Sequence, residues 1–379
     1  MNKSRYPFHK SWRWRFVALT DLFLDYFSPN LKKIQFPSNV KRILVIRLDQ
    51  IGDIVCSLPA FECLRNRFQG ALITALVSEE GAEVLKHSPY VDEILVFRSN
   101  WFSRKRLLDT EELFSILTLL HNHKFDLGFD LRGDLRNILL MVLSKVRYRV
   151  GYGIAGGKAL LHESPEFDCE LHQVELNQNL VAMERIPKSK LRPRICLTQE
   201  EQVMARTSLS QIDSEKRILI AIHPEAGYSS KEWGMNHFIR LVERLIQEEQ
   251  VTVLVFGLNH ARETADFFKD SKQVLNFVGR VSLRGMMALL NECHLFIGND
   301  SGPSHLAHAL GVPCVITASG TNNYEKWGVW LAPNRVFKQL VPCSPCYLSH
   351  CSVEGHPCMS HITVESVAQA AFQLAIGGT

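Results

Sequence analysis

A short polar turn at residues 299–306 is the part of this sequence best suited to chemistry. It follows the apolar run 293–298 and precedes a helix-forming segment, so the pattern predicts a strand, a tight turn and a helix. Asp300 or Ser301 would begin the helix, and Gly302 would let a ligand approach the backbone closely. Because a helix N-terminus presents free N–H groups and a positive dipole end, this turn predicts an anion site, typically for phosphate.

A second polar segment, residues 47–54, directly follows a buried strand predicted at residues 42–48. Asp53 is expected to cap the next helix, predicted at residues 54–68 and interrupted early by Pro59. A residue that directly follows a parallel strand lies at the C-terminal edge of the sheet, where ligands bind. Its simplest role is that of a helix cap.

The third segment, residues 223–233, follows a strand predicted at residues 217–223. His223 is expected to be structural, and Lys231 adds a positive charge to a loop whose N–H groups can approach an anion. The small residues that permit this approach are Gly227, Ser229 and Ser230. Neither the GxGxxG fingerprint nor the P-loop pattern occurs, so neither of these simpler phosphate sites applies.

The elements that must position these segments alternate between strand and helix in two series, separated by a Pro- and Lys/Arg-rich stretch at residues 186–194. This alternation predicts an α/β protein with two doubly wound, Rossmann-like domains facing a cleft, and ligands at the C-terminal ends of the strands. The expected parts are an N-terminal arm at residues 1–40, a first domain at 41–185, a linker at 186–200, a second domain at 201–362 and a C-terminal helix at 363–379.

The composition is that of a globular protein large enough for two domains. The chain has 379 residues, of which 46% are hydrophobic and 22% are charged, which excludes a disordered protein. No apolar run reaches the roughly 18 residues of a membrane span. Charged residues interrupt any signal-like apolar region near the N-terminus, so a cleaved signal peptide is not expected.

The positive charge is concentrated in residues 1–35, which carry seven Lys or Arg against two Asp and are rich in Trp, Phe and Tyr. Basic and aromatic residues at helical spacing predict contact with an anionic membrane surface. The alternatives are a helix packed on the protein or a disordered basic arm. Nucleic acid is not expected as a partner, because the excess of positive charge does not extend beyond the arm.

Residues 40 to 375 resemble the heptosyltransferase family of glycosyltransferases, family 9. The resemblance rests on the strand followed by Gly52 and Asp53, the His-Pro…Lys-x-Trp segment ending at Trp233, the Asp-Ser-Gly-x-x-His-Leu turn and a short Cys cluster. It implies a GT-B fold and an inverting, metal-independent transfer from a nucleotide-activated sugar, with no cofactor required for catalysis. In the best-known members ADP-heptose is the donor and the lipopolysaccharide inner core is the acceptor, so a cytoplasmic enzyme peripheral to the inner membrane is expected.

The resemblance also implies roles for individual residues. Asp53 matches the family's candidate for the general base, because inverting transfer needs a group that takes the proton of the acceptor hydroxyl. Lys231 and the N–H groups at the start of the helix would stabilise the diphosphate leaving group. His305 would either donate to a phosphate or pack against the sheet. The expected donor-binding residues are Gly227, Ser229, Ser230, Lys231, Asp300, Ser301, Gly302 and His305.

Arg132 and Arg136 lie at a strand end in the first domain, where the family binds its acceptor. Their guanidinium groups suit a phosphorylated or carboxylated glycolipid. The alternative is a solvated helix start in which they pair with Asp134.

Two positions depart from the family pattern. Glu225 replaces the usual Gly after His-Pro, and Ala261 replaces a Glu expected to contact the nucleotide ribose. These departures leave three alternatives open. The same fold would use another nucleotide-sugar or a protein acceptor such as an adhesin, or would bind a sugar nucleotide without catalysis, or would act as a sugar-nucleotide epimerase.

Four cysteines cluster near the C-terminus, namely Cys343, Cys346, Cys351 and Cys358. Four thiolates within 16 residues would reach one tetrahedral ion, so a structural Zn or Fe is expected, with His350, His356 and His361 as possible substitute ligands. The alternative is a loop of free thiols. The other six cysteines are scattered in mostly apolar settings and are expected in a reduced state within the core.

Overall fold

The structure is a computed structural model. It describes residues 34–98, 110–183, 192–210, 212, 217–258, 261–331 and 334–376. Residues 1–33 of the expected N-terminal arm and residues 186–191 of the expected linker lie outside these residues. The chain divides into two compact units, Met1–Leu191 and Arg192–Thr379, and each unit contains its own parallel β-sheet.

The described strands of the first unit are β1 (Arg42–Arg47), β2 (Leu72–Val77), β3 (Glu93–Val96), β4 (Leu127–Asp130) and β5 (Tyr148–Gly151). Its described helices are α1 (Ile51–Arg67), α2 (Glu79–Leu85), α3 (Thr110–His123), α4 (Leu135–Leu143) and α5 (Gln173–Ala182). The strands are parallel in the order β3-β2-β1-β4-β5. The direction of strand addition therefore reverses between β1 and β4, and open parallel sheets bind ligands beyond the C-terminal ends of the two strands at such a point.

The core of the first unit explains why β1 is an almost continuous apolar run. Leu44 and Ile46 are fully buried beneath helices that cover the sheet, and they pack in one cluster with Phe125, Ile138 and Met141. A parallel strand covered on both faces has no solvent-facing side, so alternation of polar and apolar residues disappears. The strand has an arginine at each end, and Arg47, its last residue, is the one that is buried.

Helix α1 begins earlier than the sequence predicts, and Asp53 is not its N-cap. Gln50 is the N-cap, in an extended conformation, and its carbonyl accepts from the N–H groups of Asp53 and Ile54. The prediction was wrong because the first turn already includes Asp53, whose carboxylate suits the positive end of the helix. The helix also continues through Pro59, where the sequence predicted an interruption.

The described strands of the second unit are β6 (Ile218–His223), β7 (Val251–Val255), β8 (Val274–Asn276), β9 (Leu295–Asn299), β10 (Cys314–Ala318) and β11 (Asn334–Lys338). Its described helices are α6 (Gln199–Ser208), α7 (Met235–Leu245), α8 (Ala261–Phe267), α9 (Leu283–Asn291), α10 (Gly302–Ala309), α11 (Tyr324–Trp327), α12 (Pro357–Ser360) and α13 (Val364–Ile376). The strands are parallel in the order β11-β10-β9-β6-β7-β8, so the reversal falls between β6 and β9.

The C-terminal helix α13 belongs to the core of the second unit. Val367 and Ala371 on α13 are fully buried in the same cluster as Phe238 and Leu241 on α7. None of the helices in the described ranges is both long enough and apolar enough to span a bilayer.

Candidate active site

In the first unit, Arg47 joins the end of β1 to the first turn of α1. Its Nη2 lies 3.1 Å from Oδ1 of Asp53, and its Nη1 donates to the carbonyl oxygen of Leu131, just beyond β4, at 2.5 Å. The Arg47 side chain is 2% exposed and that of Asp53 is 20% exposed. A buried guanidinium therefore fixes one oxygen of a partly exposed carboxylate at the reversal point of the sheet.

Asp49 is the second partner of Arg47. Its Oδ2 lies 3.1 Å from Nε of Arg47, and its Oδ1 contacts Nη1 of Arg132. The Asp49 side chain is 2% exposed, so this carboxylate is held between two arginines away from water. Neither Arg47 nor Asp49 was singled out from the sequence. The available signal was a pair of charges at the end of an otherwise apolar strand, because buried charges occur in pairs.

The two arginines predicted to bind the acceptor both contact Asp134 in this structure. Arg136 donates from Nε to Oδ1 at 2.8 Å and from Nη2 to Oδ2 at 2.9 Å. Nε of Arg132 lies 3.6 Å from Oδ2 of the same carboxylate. Burial lowers the pKa of Arg132 to about 10, so its guanidinium remains charged at neutral pH. These contacts bring Arg132 into one ionic chain with Asp49, Arg47 and Asp53.

Asp130 organises the turn that carries these arginines. Its carboxylate accepts hydrogen bonds from Nδ2 of Asn137 at 2.9 Å and from the N–H groups of Arg132 and Asp134 at 3.1 and 2.8 Å. Complete burial nevertheless raises the pKa of Asp130 to about 6. The three donors fix the backbone between β4 and α4 around this one side chain.

In the second unit, Lys231 is paired with Asp300. Nζ of Lys231 lies 3.0 Å from Oδ2 of Asp300 and 3.3 Å from its carbonyl oxygen. Lys231 closes a 3₁₀ turn, Ser229–Lys231, in the loop after β6, and Asp300 directly follows the neighbouring strand β9. The fold thus brings together two predicted donor-binding residues at the C-terminal edge of the sheet, where its strand order reverses.

The remaining predicted donor-binding residues lie in the loop after β6 or at the start of α10. Ser301 is the N-cap of α10, and its hydroxyl donates to the carbonyl oxygen of Asn299 at 3.3 Å. His305 is buried one turn into the helix, whereas Gly227 is exposed. A Cβ atom placed on Gly227 would meet no heavy atom within 4 Å, so the space beside this backbone is open.

Asn299, at the end of β9, ties the two loops together. Its Oδ1 accepts from the N–H of Trp233 at 3.0 Å, and its Nδ2 donates to the carbonyl oxygen of Pro224 at 2.7 Å. Asn299 is fully buried. From the sequence, Asn299 could be placed only as the first residue of the turn. Its role could not be predicted, because its partners lie far away in the chain.

Glu225, the charged departure from the family pattern, is engaged away from Lys231. Its Oε2 accepts from the N–H of Leu258 at 2.8 Å, in the loop after β7. Burial lowers the pKa of the neighbouring His223, whose Nδ1 lies 3.2 Å from the carbonyl oxygen of Glu225. The lowered pKa favours the neutral form of His223, and its structural role stays a prediction.

The four clustered cysteines form no disulfide. Burial, together with the nearby thiols of Cys351, Cys343 and Cys346, raises the pKa of Cys358. Among the described residues, no three His, Cys, Asp or Glu side chains are arranged to hold a metal ion. The expected Zn or Fe therefore stays a prediction.

Comparison with known proteins agrees with this architecture. The model of glycosyltransferase family 9 (heptosyltransferase) matches residues 113–356. Lipooligosaccharide heptosyltransferase 2 of Campylobacter jejuni is 26% identical over 164 residues, which are 41% of this chain and 50% of that protein. The chain thus spans about half the length of the Campylobacter jejuni relatives that it matches.

Solved structures match over nearly the whole chain. The family 9 glycosyl transferase of Veillonella parvula has a TM-score of 0.78 at 20% identity, covering 91% of this chain and 100% of that one. ADP-heptose lps heptosyltransferase II of Escherichia coli has a TM-score of 0.73 at 21% identity, covering 89% and 99%. At these identities the likeness establishes the fold.

Two doubly wound parallel units, each with polar loops at the reversal point of its sheet, define a GT-B protein. The family model covers well over half of the chain. The chain belongs to glycosyltransferase family 9, the heptosyltransferase family.

Proposed function

We propose that this protein transfers heptose from ADP-heptose to an acceptor of the lipopolysaccharide inner core, with inversion at the sugar carbon and without a catalytic metal. The observation that carries the proposal is the Lys231–Asp300 pair at the start of α10. It supplies a cation and a helix N-terminus at one sheet edge, which is the combination that a nucleoside diphosphate requires.

Asp53 is the proposed general base. It would take the proton of the acceptor hydroxyl as that oxygen attacks the sugar carbon and the bond to the diphosphate breaks. Arg47 holds Oδ1 of Asp53, so Oδ2 is the oxygen that we expect to receive the proton. The role of Arg47 is to fix the orientation of the carboxylate, because a base must lie within hydrogen-bond reach of the proton that it removes.

Lys231 and the backbone N–H groups at the start of α10 would stabilise the leaving diphosphate, whose negative charge grows as the bond breaks. Asp300 orients the Lys231 ammonium before the donor binds. The open space at Gly227 leaves room for phosphate oxygens to approach the backbone. Ser229, Ser230, Ser301 and His305 complete the proposed donor site.

Arg132 and Arg136 are proposed to bind an anionic group of the acceptor. Their present partners, Asp49 and Asp134, are carboxylates, which have the same chemistry as the phosphate or carboxylate of a glycolipid core. Of the two, Arg132 is linked through Asp49 and Arg47 to Asp53. Acceptor binding at Arg132 would therefore act on the chain of charges that orients the base.

The orientation of Glu225 favours a functional donor site over a non-catalytic protein. Its carboxylate accepts from the Leu258 N–H, whereas Lys231 pairs with Asp300, so Glu225 does not compete with a phosphate for this cation. The identity of the nucleotide-sugar is the part of the proposal most open to revision, because Ala261 stands where the family often has a ribose-binding Glu.

A structural metal at the cysteine cluster is a separate proposal. Its support is the spacing of four cysteines within 16 residues, which lets four thiolates reach one tetrahedral ion. The described side chains do not form a set of metal ligands in this structure, so binding would require them to rearrange. Measuring zinc and iron in protein purified without chelators tests it. One equivalent of either metal that is lost on replacing Cys346 and Cys351 by Ser would support the proposal, and metal-free wild-type protein would reject it.

Attachment to an anionic membrane surface is proposed for residues 1–35, on the basis of their charge and aromatic content alone. Deleting these residues should abolish sedimentation with vesicles that contain anionic lipid. Unchanged sedimentation of the shortened protein would reject this role for the arm.

The transfer reaction is tested by incubating the protein with ADP-heptose and a heptose-free inner-core acceptor. Mass spectrometry should detect the acceptor with one added heptose, together with ADP. Transfer only from another nucleotide-sugar, or only to a protein, would replace the proposed substrates but keep the reaction class. Donor epimerised without an acceptor would identify an epimerase, and binding without any turnover would favour the non-catalytic alternative.

A further inference from the structure

The segment that carries the clustered cysteines, residues 343–358, packs against the Ser229–Lys231 turn of the proposed donor site. The N–H of Ser230 donates to the carbonyl oxygen of Ser349 at 3.2 Å. The hydroxyl of Ser230 donates to the carbonyl oxygen of Leu348 at 2.5 Å. Ser230 is 2% exposed. These contacts link residues more than 100 positions apart. The cysteine segment therefore holds the Lys231 turn in place by direct hydrogen bonds.

His356 makes a further contact with this turn. Its Nε2 lies 3.1 Å from the carbonyl oxygen of Ser230. A carbonyl oxygen can only accept, so Nε2 must carry the proton and donate. The peptide group that His356 binds joins Ser230 to Lys231, which places the histidine one residue from the proposed phosphate-binding cation.

A second side chain converges on the same carbonyl. The hydroxyl of Thr321 lies 3.3 Å from the carbonyl oxygen of Ser230, and the backbone of Thr321 is itself fixed by the N–H of Tyr347 at 2.8 Å. Two donors from separate loops thus hold one peptide group. Such convergence restricts the rotation of that peptide and hence the direction in which the Lys231 side chain leaves the backbone.

We propose that His356 is a positioning residue for donor binding, acting through the Ser230 carbonyl on the ammonium group of Lys231. The inference rests on the proposed function of Lys231 and assigns to the cysteine segment a role that requires no metal. Loss of the His356 hydrogen bond would let the turn sample other orientations. The affinity for the donor would then fall, because Lys231 would have to become ordered when the diphosphate binds.

The test compares His356→Ala with His356→Gln by calorimetric titration of ADP, with the KM of donor and acceptor measured in parallel. His356 has a left-handed φ of 47°, and both variants meet the same backbone strain, so the difference between them isolates the side-chain donor. We expect His356→Ala to weaken ADP binding about 3- to 30-fold and to raise donor KM alone, with kcat kept at saturating donor. Glutamine, which retains an N–H donor, should restore most of the affinity.

Glu354→Gln is the matched control, because this exposed side chain lies two residues from His356 in the same segment and should leave ADP affinity unchanged. Equal ADP affinity in wild type and His356→Ala would overturn the proposal. So would loss of zinc or iron in His356→Ala with affinity restored by adding metal, because the histidine would then act as a ligand.

If His356→Ala does not fold, Thr321→Val removes the second donor to the same carbonyl and should raise donor KM in the same manner. An unchanged donor KM in Thr321→Val would then count against the proposal. A wild-type protein that binds no nucleotide would reject the function proposed for Lys231, which distinguishes that failure from a failure specific to His356.

Discussion

Lys231 and Asp300, 69 residues apart in the sequence, form an ion pair with 3.0 Å between Nζ and Oδ2. The pair joins the turn after β6 to the start of α10, and Asp300 is 4% exposed. A buried carboxylate with one cationic partner orients that partner strongly. The pair therefore holds the Lys231 ammonium close to a helix N-terminus before any donor arrives.

Replacing Lys231 by Ala should weaken ADP binding about 10- to 100-fold, because a charge-assisted contact to phosphate is lost. It should also lower the free energy of unfolding by about 1–3 kcal/mol, because Asp300 is left buried without its partner. Calorimetry and urea denaturation measure the two effects. Lys231→Arg keeps the charge and should retain more affinity than Lys231→Ala, and equal affinity in Lys231→Ala and wild type would remove Lys231 from the donor site.

Replacing Asp53 by Asn should lower turnover by about 10²- to 10⁴-fold while ADP affinity stays within error of wild type. The amide keeps the shape of the side chain but cannot accept the acceptor proton. Glu80→Gln, an exposed change on α2, serves as the control and should leave turnover unaffected. Near-normal turnover in Asp53→Asn would reject Asp53 as the base.

Replacing Arg47 by Met should destabilise the first unit by about 3 kcal/mol, because it removes a buried cation from two carboxylates. We expect kcat to fall about tenfold or more with little change in KM, since Asp53 loses the group that orients it. Arg98→Met breaks an exposed pair with Glu79 and should leave stability nearly unchanged, because solvent screens such a pair. A loss of stability with kcat unchanged would confine Arg47 to a structural role.

His162 provides a pH-dependent prediction. Its Nδ1 accepts from the N–H of Arg149 at 3.0 Å, and burial, with a smaller contribution from the Arg149 charge, lowers the pKa of His162 to about 4. The unfolded chain, with a His pKa near 6.5, binds more protons between these values, so stability is complete above pH 6.5 and declines as pH falls towards 4. The loss should be on the order of 1 kcal/mol, because solvent screens a partly exposed ring.

NMR titration of the histidine ring checks this assignment directly, with a midpoint expected near pH 4 in the folded protein. His162→Gln should flatten the dependence of unfolding free energy on pH over the same window. A midpoint close to 6.5 would show that burial does not act on this ring as argued.

The alternation of strands and helices could be read from the sequence because covered parallel strands are continuous apolar runs. The predicted strand at residues 217–223 corresponds to β6 (Ile218–His223), and the predicted helix at residues 54–68 corresponds to α1 (Ile51–Arg67). Helix starts were less certain. Asp53 has the residue type of an N-cap, but the hydrogen bonds to the Gln50 carbonyl begin the helix three residues earlier.

Long-range partners could not be read from the sequence. Asp49 between Arg47 and Arg132, Asn299 between the two donor loops, and His356 on the Ser230 carbonyl all depend on which loops the sheets bring together. A residue type indicates what a side chain can bind, whereas its partner is set by topology. Glu225 is an example. Its charge predicts repulsion of a phosphate, but in the structure its carboxylate accepts a hydrogen bond from the N–H of Leu258.

The central claim, a donor site built around Lys231 and the start of α10, is tested most directly by calorimetric titration of the wild-type protein. The ligands are ADP-heptose and ADP, compared with UDP, UDP-GlcNAc, GDP-mannose and dTDP-rhamnose. The account predicts selective binding of ADP-heptose and ADP, and its loss in Lys231→Ala. Binding of none of these ligands by the folded wild-type protein would contradict it.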